Sequence, residues 1–353
     1  MGGSNGALSE RSESKGRQIS GTIRLPREMS ALRQQIRRTI RRHDLCPAGS
    51  RVLVALSGGS DSVALTLLLR ELAANGGFTL SGLAHVNHRL RPTADRDEEF
   101  CRALAARLGL PIVVSPIDVA DYAAAERLSI EDAARRARYA FLHRCAADLE
   151  AGQIALGHTR DDQAETFLLK LIRGAGLTGL GGIYPRRGAL IRPLLDVSRA
   201  DLREYLTGRG ESWMEDETNA DLTNPRNRIR HRVIPELDAS YGGVVSGSIA
   251  RAASLAREDG TWLDDLAGRR YEELARVDAD GVNLSAAELS AEPEPIRRRI
   301  LLKALREVAD MREVALEHVE TAADILSGTS AGADLPAARL ELRRGKLVLL
   351  RKR

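Results

Sequence analysis

Residues 52–72, VLVALSGGSDSVALTLLLREL, place a polar hexapeptide between two apolar runs. The first run is short and uninterrupted, which is typical of a strand buried in a parallel sheet. The second run begins a helix that we predict over 60–74. The hexapeptide consists of Ser57, Gly58, Gly59, Ser60, Asp61 and Ser62. It therefore joins the carboxyl end of a strand to the start of a helix, where α/β sheets bind their ligands.

The same alternation of strand and helix continues on the carboxyl side of this stretch. We predict strands at 51–56, 79–85, 111–115, 153–157 and 189–192. Helices are predicted before and between them, at 30–43, 60–74, 95–108, 129–147 and 160–173. Strands that alternate with helices predict an α/β fold with a doubly wound parallel sheet.

The pattern changes after about residue 215, where a polar stretch leads into Ala-, Arg- and Glu-rich helical sequence. Near the end, alternating leucines on either side of Arg344-Gly345 predict a small β-hairpin. Residues 1–28 are rich in Gly, Ser and Arg and lack an apolar signal core, so a disordered extension is expected. The predicted organisation is this extension, an α/β domain at 29–232, and a mostly helical domain at 233–353 that ends in the hairpin.

Composition excludes several classes of protein. No apolar stretch reaches the roughly 18 residues that span a bilayer, so no membrane span is expected. Cys46, Cys101 and Cys145 are far apart and form no CxxC, which argues against a disulfide framework and indicates a reducing, cytoplasmic location. The net charge of +4 is compatible with an anionic partner.

The hexapeptide has the chemistry of a phosphate site. Its glycines allow close approach of the backbone, and its N–H groups and the helix dipole can cradle a phosphate. Asp61 would repel a polyphosphate unless a divalent cation lay between them, so the pair indicates a magnesium nucleotide. A plain glycine turn, with Asp61 as an ordinary residue of the first helical turn, is the alternative.

Four stretches together carry a family resemblance. SGGSDS resembles the pyrophosphate-binding loop of the N-type ATP pyrophosphatases, or PP-loop superfamily. With 85–91 (HVNHRLR), 157–166 (GHTRDDQAET) and 224–230 (NPRNRIR), residues 50–240 resemble the tRNA(Ile)-lysidine synthetases. The resemblance implies a PP-loop catalytic domain at 29–232 and a tRNA-binding domain at 233–353. It also implies ATP and Mg²⁺ as ligands, with tRNA(Ile) bearing a CAU anticodon and L-lysine as partners.

Two acids on the predicted helix 160–173 suit a cationic substrate. Asp162 and Glu165 are three residues apart, so they are neighbours that can grip an ammonium group. They can equally be a first-turn acid and a surface residue. The resemblance implies that both bind lysine, together with Arg138.

The remaining site residues follow from the same resemblance. ATP is expected at the hexapeptide and His85, and the metal at Asp61. Arg226, Arg228 and Arg230 can reach tRNA phosphates or a developing negative charge, although a charged linker is the alternative. His158 can polarise a substrate or only hold its loop. The expected catalytic residues are Asp61, Arg138, His158 and Arg228.

The reaction that the resemblance implies has two steps. The wobble cytidine is adenylated at its C2 oxygen with release of pyrophosphate, and lysine then attacks C2 and expels AMP. The alternatives are a tRNA thiolase, for which a CxxC would be expected, an NAD-synthetase-like ligase, and a module that binds RNA or nucleotide without catalysis. The oligomeric state stays open, with a homodimer among the options.

Overall fold

A computed structural model describes residues 27–87, 94–116, 119–126, 128–215, 221–309, 314–335 and 338–352. The first helix, α1 (Arg27–Arg42), begins three residues before the predicted start. Residues 1–26 of the predicted extension lie outside the described residues.

A six-stranded sheet forms the centre of the first half of the chain. Its strands are β1 (Arg51–Ala55), β2 (Thr79–Asn87), β3 (Ile112–Pro116), β4 (Gln153–Ala155), β5 (Arg186–Arg187) and β6 (Leu190–Ile191). Their order is β3-β2-β1-β4-β6-β5, and every pair is parallel except β5 with β6. Strand order reverses at β1, which pairs with both β2 and β4. Such a switch point opens a crevice at the carboxyl ends of the strands.

Helices cover both faces of this sheet, as the sequence predicted. They are α2 (Ser60–Ala73), α3 (Ala94–Leu108), α4 (Val119–Glu126), α5 (Ile130–Asp148), α6 (Arg160–Ile172), α7 (Leu177–Leu180) and α8 (Arg199–Thr207). Val52 and Val54 pack into a core with α1, α2, α3 and α8, whereas Leu53 packs on the opposite face against α5. Burial on both faces explains why β1 is continuously apolar.

The second half combines helices with a smaller sheet. Its helices are α9 (Pro225–Arg228), α10 (Ile234–Tyr241), α11 (Val245–Leu274), α12 (Ala286–Ala291), α13 (Glu294–Val308) and α14 (Leu316–Leu326), and a π-helical turn (Ile229–Val233) joins α9 to α10. Its strands are β7 (Ala275–Val277), β8 (Gly281–Ser285), β9 (Gly332–Asp334), β10 (Ala338–Arg343) and β11 (Lys346–Arg351).

The predicted hairpin is confirmed but belongs to a larger sheet. β10 and β11 pair through a turn in which Arg344 and Gly345 have φ of 48° and 73°, as a two-residue hairpin of type I′ requires. The sheet is antiparallel with order β7-β8-β11-β10-β9. The sequence prediction of a lone hairpin therefore missed three strands.

The 30-residue helix α11 contributes to both halves. It contacts α6 and α7, and Arg257 donates to the carbonyl oxygen of Gly181 at 3.3 Å. Farther along, Ala267, Tyr271 and Leu274 belong to the second core, with α13, α14 and the smaller sheet. In the described part of the chain, no helix has the length and apolarity to cross a membrane.

Candidate active site

A cleft of about 580 Å³ opens at the carboxyl ends of β1, β2 and β4. Its lining comes from separate stretches of the chain and includes the hexapeptide 57–62 except Gly58, together with His85, Arg138, His158, Asp162, Arg199 and Arg230. The structure thus brings together the predicted nucleotide loop, one of the predicted lysine acids and Arg138.

The hexapeptide is held in a fixed shape by its own side chains and by a later segment. Gly58 has φ of +91°, which a residue with a side chain rarely adopts. Ser62 Oγ accepts from the Ser57 N–H at 3.1 Å, and the Gly58 carbonyl accepts from the Met214 N–H at 2.9 Å. Gly59 is the N-cap of α2 and supplies no capping side chain. The helix N-terminus therefore has the arrangement that binds phosphate.

Asp61 forms an ion pair with Arg199 that the sequence did not predict. Arg199 Nε lies 3.1 Å from Asp61 Oδ2. Burial raises the pKa of the Asp61 carboxyl, and the Arg199 guanidinium opposes that effect. Arg199 is the first residue of α8, whose Ser198–Asp201 capping box follows the carboxyl end of β6. That capping box is the sequence signal that would have placed Arg199 near the crevice.

Asp162 and Glu165 lie in the first turns of α6, side by side and buried. Asp162 Oδ2 accepts from the N–H and the hydroxyl of Thr159, at 2.8 and 2.9 Å, in a capping box. Asp162 is thus a helix-capping acid as well as a lining residue of the cleft. Only 1% of the Glu165 side chain is exposed, so Glu165 is not the surface residue of the alternative interpretation.

Three arginines surround these two acids. Arg226 Nε lies 2.7 Å from Glu165 Oε2, and Arg230 Nε lies 2.6 Å from Glu165 Oε1. Arg199 Nη2 lies 3.2 Å from Asp162 Oδ1. Burial raises the pKa of Asp162, but the guanidinium groups of Arg199 and Arg226 outweigh it, and the net shift is downward. Asp162 is therefore ionised at neutral pH.

Arg228 is not brought to the cleft. Its side chain is exposed and donates to the carbonyl oxygens of Leu222 and Thr223, at 3.3 and 3.1 Å. Arg226 and Arg230 are four residues apart and contact the same acid, whereas Arg228 lies between them and points elsewhere. Arg230, and not Arg228, lines the cleft.

Two histidines of the cleft are neutral. Burial lowers the pKa of His158 to about 3, and burial also lowers the pKa of His85. His85 Nδ1 lies 2.9 Å from the Leu56 carbonyl oxygen, so this nitrogen carries the proton. Within the described residues, His158 Nδ1 and Arg138 Nε are buried without a hydrogen-bond partner. Such atoms are poised for a ligand that supplies the missing bond.

Comparison with known proteins accounts for this arrangement. The PP-loop domain family matches residues 29–237, more than half of the chain. The tRNA(Ile)-lysidine synthase of Symbiobacterium thermophilum is 38% identical over 333 residues, which cover 89% of this chain and 68% of that protein. The chain belongs to the tRNA(Ile)-lysidine synthase family of PP-loop proteins.

The match to other family members covers less of their length. The synthase of Geobacter sulfurreducens is 39% identical over 83% of this chain, but the match spans 62% of the synthase. The U34-tRNA thiolase of Methanococcus maripaludis, solved with its [4Fe-4S] cluster, shares the fold with a TM-score of 0.55 at 18% identity. The structural match covers 65% of this chain and 79% of the thiolase chain.

The donor set of this PP-loop protein fits a magnesium nucleotide. Among the described residues, no group of three or more His, Cys, Asp or Glu side chains could hold a metal by itself. Mg²⁺ commonly takes one or two carboxylates together with substrate phosphates and water. Asp61, beside the loop that suits phosphate, provides such a carboxylate.

Proposed function

We propose that the chain catalyses ATP-dependent formation of lysidine on tRNA(Ile) with a CAU anticodon, in the cytoplasm. The wobble cytidine attacks the α-phosphate of ATP through its C2 oxygen and releases pyrophosphate. The amine of L-lysine then attacks C2 and AMP leaves. The observation that carries this proposal is a single cleft lined by the phosphate loop with Asp61 and by Asp162, with Glu165 buried next to Asp162.

The loop 57–62 accounts for nucleotide binding. Its glycines and the N-terminus of α2 suit the β- and γ-phosphates, which leave as pyrophosphate. Asp61 would hold Mg²⁺, which neutralises charge that develops on the leaving group. Burial around Asp61 strengthens its attraction for a cation, because the local dielectric is low.

The acid pair and its neighbours account for the binding of lysine and RNA. Asp162 and Glu165 match an ammonium group in charge and spacing. Arg138 and Arg230, which also line the cleft, suit the carboxylate of the amino acid or an RNA phosphate. Neutral His158 can donate or accept a hydrogen bond at the reacting base without adding charge.

A thiolase fits less well. Cys46, Cys101 and Cys145 are all buried, and burial raises the pKa of Cys46 and of Cys101 to about 12. Thiols in that state do not supply the thiolate that sulfur transfer needs. An NAD-synthetase-like ligase would not need Arg226 and Arg230 beside the acid pair. A module that binds RNA or nucleotide without catalysis would not need the acid pair itself.

The direct test mixes the purified protein with ATP, Mg²⁺, L-lysine and an unmodified tRNA(Ile) transcript. We expect pyrophosphate and AMP in equal amounts and one lysine added per tRNA, detected by mass spectrometry of the nucleosides. A transcript with uridine at the wobble position is the matched control and should give none of these products. Equal turnover of the control RNA would contradict the proposal. Light scattering on the same sample reports whether the protein is a homodimer.

A further inference from the structure

The carboxylate oxygens of Asp162 and Glu165 already have hydrogen-bond donors. A carboxylate offers about four acceptor sites. Asp162 accepts at least four bonds, two from Thr159 and one each from Arg199 and Arg226. Glu165 accepts at least three, one from Arg226 and two from Arg230, and Arg199 Nη1 lies 3.6 Å from its Oε1. An ammonium group can bind this pair only if one guanidinium withdraws.

The nearest contact of Arg199 with the two acids is longer than those of Arg226 and Arg230. Arg226 and Arg230 each contact Glu165 through Nε, at 2.7 and 2.6 Å. Arg199 reaches the pair only at 3.2 Å and 3.6 Å. Its shortest side-chain contact, at 3.1 Å, goes instead to Asp61 on the nucleotide side. Arg199 is therefore the arginine that a change at Asp61 would move.

The backbone of Arg199 is held in place, while its side chain contacts both Asp61 in the nucleotide loop and Asp162 of the acid pair. Its backbone N–H donates to Asp161 Oδ2 at 2.8 Å, and the Ser198 capping box holds the start of α8. A side-chain rotation can therefore transfer the guanidinium from the carboxylates to a phosphate without moving the helix. Phosphate oxygens attract the planar guanidinium strongly, and a cation bound at Asp61 would repel it.

We propose that Arg199 is a positioning residue that couples the two substrate sites. It covers Asp162 and Glu165 until a magnesium nucleotide engages Asp61, and it then withdraws toward the phosphates and frees the acid pair for the amino group of lysine. The inference rests on the proposed function and adds an order to it. Nucleotide binds first, and lysine binds to the site that the nucleotide has opened.

Calorimetry on the full chain tests this coupling without turnover. L-lysine is titrated into the protein alone, with Mg²⁺ and α,β-methylene-ATP, and with the analogue in EDTA. We expect the wild-type protein to bind lysine at least about tenfold tighter with the magnesium analogue than without it. In EDTA most of that gain should be lost.

Arg199→Gln should remove the nucleotide dependence. We expect its lysine Kd without nucleotide to lie within about threefold of its Kd with nucleotide. Arg102→Gln, which changes an exposed arginine of α3, is the matched control and should keep the wild-type ratio. Thermal unfolding of each variant reports whether it folds. If Arg199→Gln does not fold, the metal dependence of lysine binding by the wild-type protein still tests the proposal.

Three outcomes would overturn the inference. Lysine binding to the wild-type protein with equal affinity in all three conditions would remove the coupling while leaving the proposed function intact. Full nucleotide dependence in Arg199→Gln would assign the coupling to another residue. Wild-type protein that binds no lysine even with the magnesium analogue would remove the proposed function as well.

Discussion

Asp61 is the residue on which the proposed nucleotide chemistry depends. Asp61→Asn keeps the shape of the side chain and removes the charge that would hold Mg²⁺. We expect pyrophosphate release to fall by at least about a hundredfold, while tRNA affinity changes by less than about twofold because Asp61 lies on the nucleotide side. Pyrophosphate assays and filter binding measure the two quantities. Asp148→Asn, at an exposed position on α5, is the control, and wild-type turnover by Asp61→Asn would refute the metal assignment.

The substitution Glu165→Gln tests the proposed lysine-binding site. Glu165→Gln removes a buried negative charge that pairs with Arg226 and Arg230, so an incoming ammonium loses half of its counter-charge. We expect the KM for lysine to rise at least about tenfold, with the KM for ATP within about threefold. Steady-state kinetics at saturating tRNA separates the two constants. Glu204→Gln, an exposed acid of α8, should change neither, and an unaltered lysine KM in Glu165→Gln would remove that residue from the site.

His158 makes stability depend on pH. The unfolded chain takes up a proton at this histidine near a pKa of about 6.5, whereas in the folded protein burial lowers that pKa to about 3. Acidification from pH 7.5 to pH 5 therefore favours unfolding, by about 2 kcal/mol for this side chain. Between pH 7.5 and pH 5, the free energy of unfolding of His158→Gln should therefore fall by about 2 kcal/mol less than that of the wild-type protein. Urea denaturation at both pH values measures the difference, and equal losses would contradict the assigned pKa.

The turn between β4 and α6 packs against the backbone of the nucleotide loop at Gly157. A Cβ at Gly157 would lie 3.3 Å from the carbonyl carbon and oxygen of Asp61 and from the Ser62 nitrogen. Gly157→Ala should therefore push the loop by a few tenths of an ångström and raise the KM for ATP several-fold, about 1 kcal/mol in binding. At Gly152, before β4, an added Cβ meets nothing within 4 Å. Gly152→Ala is therefore the matched control, and equal ATP constants for the two variants would contradict this packing argument.

Elements with strong local signals were the ones that the sequence predicted. The apolar run of β1 and the turn at Arg344-Gly345 act through neighbouring residues, and the structure has both of them where they were expected. β8 was missed because its partner β11 lies more than 60 residues away. The capping box at Ser198 could have indicated the position of Arg199, but its ion pairs could not be predicted because its three acidic partners come from other elements.

At the scale of the whole molecule, exposed and buried charges should respond differently to salt. tRNA contacts with exposed arginines release counterions, so we expect the tRNA Kd to rise at least about tenfold between 50 and 200 mM KCl. The proposed lysine site lies among buried ion pairs, which salt screens much less, so the lysine KM should change by less than about threefold. Filter binding and kinetics across a salt series measure both. Parallel salt dependence of the two constants would contradict the placement of lysine inside the cleft.

α11 also sets a distance between the two halves of the protein. Thirty residues at 1.5 Å each make a rod of about 45 Å, with the nucleotide-binding half near its start and the antiparallel sheet near its end. A free nucleotide or amino acid is far shorter than this rod and can occupy one end at a time. A folded RNA is long enough to contact both halves at once.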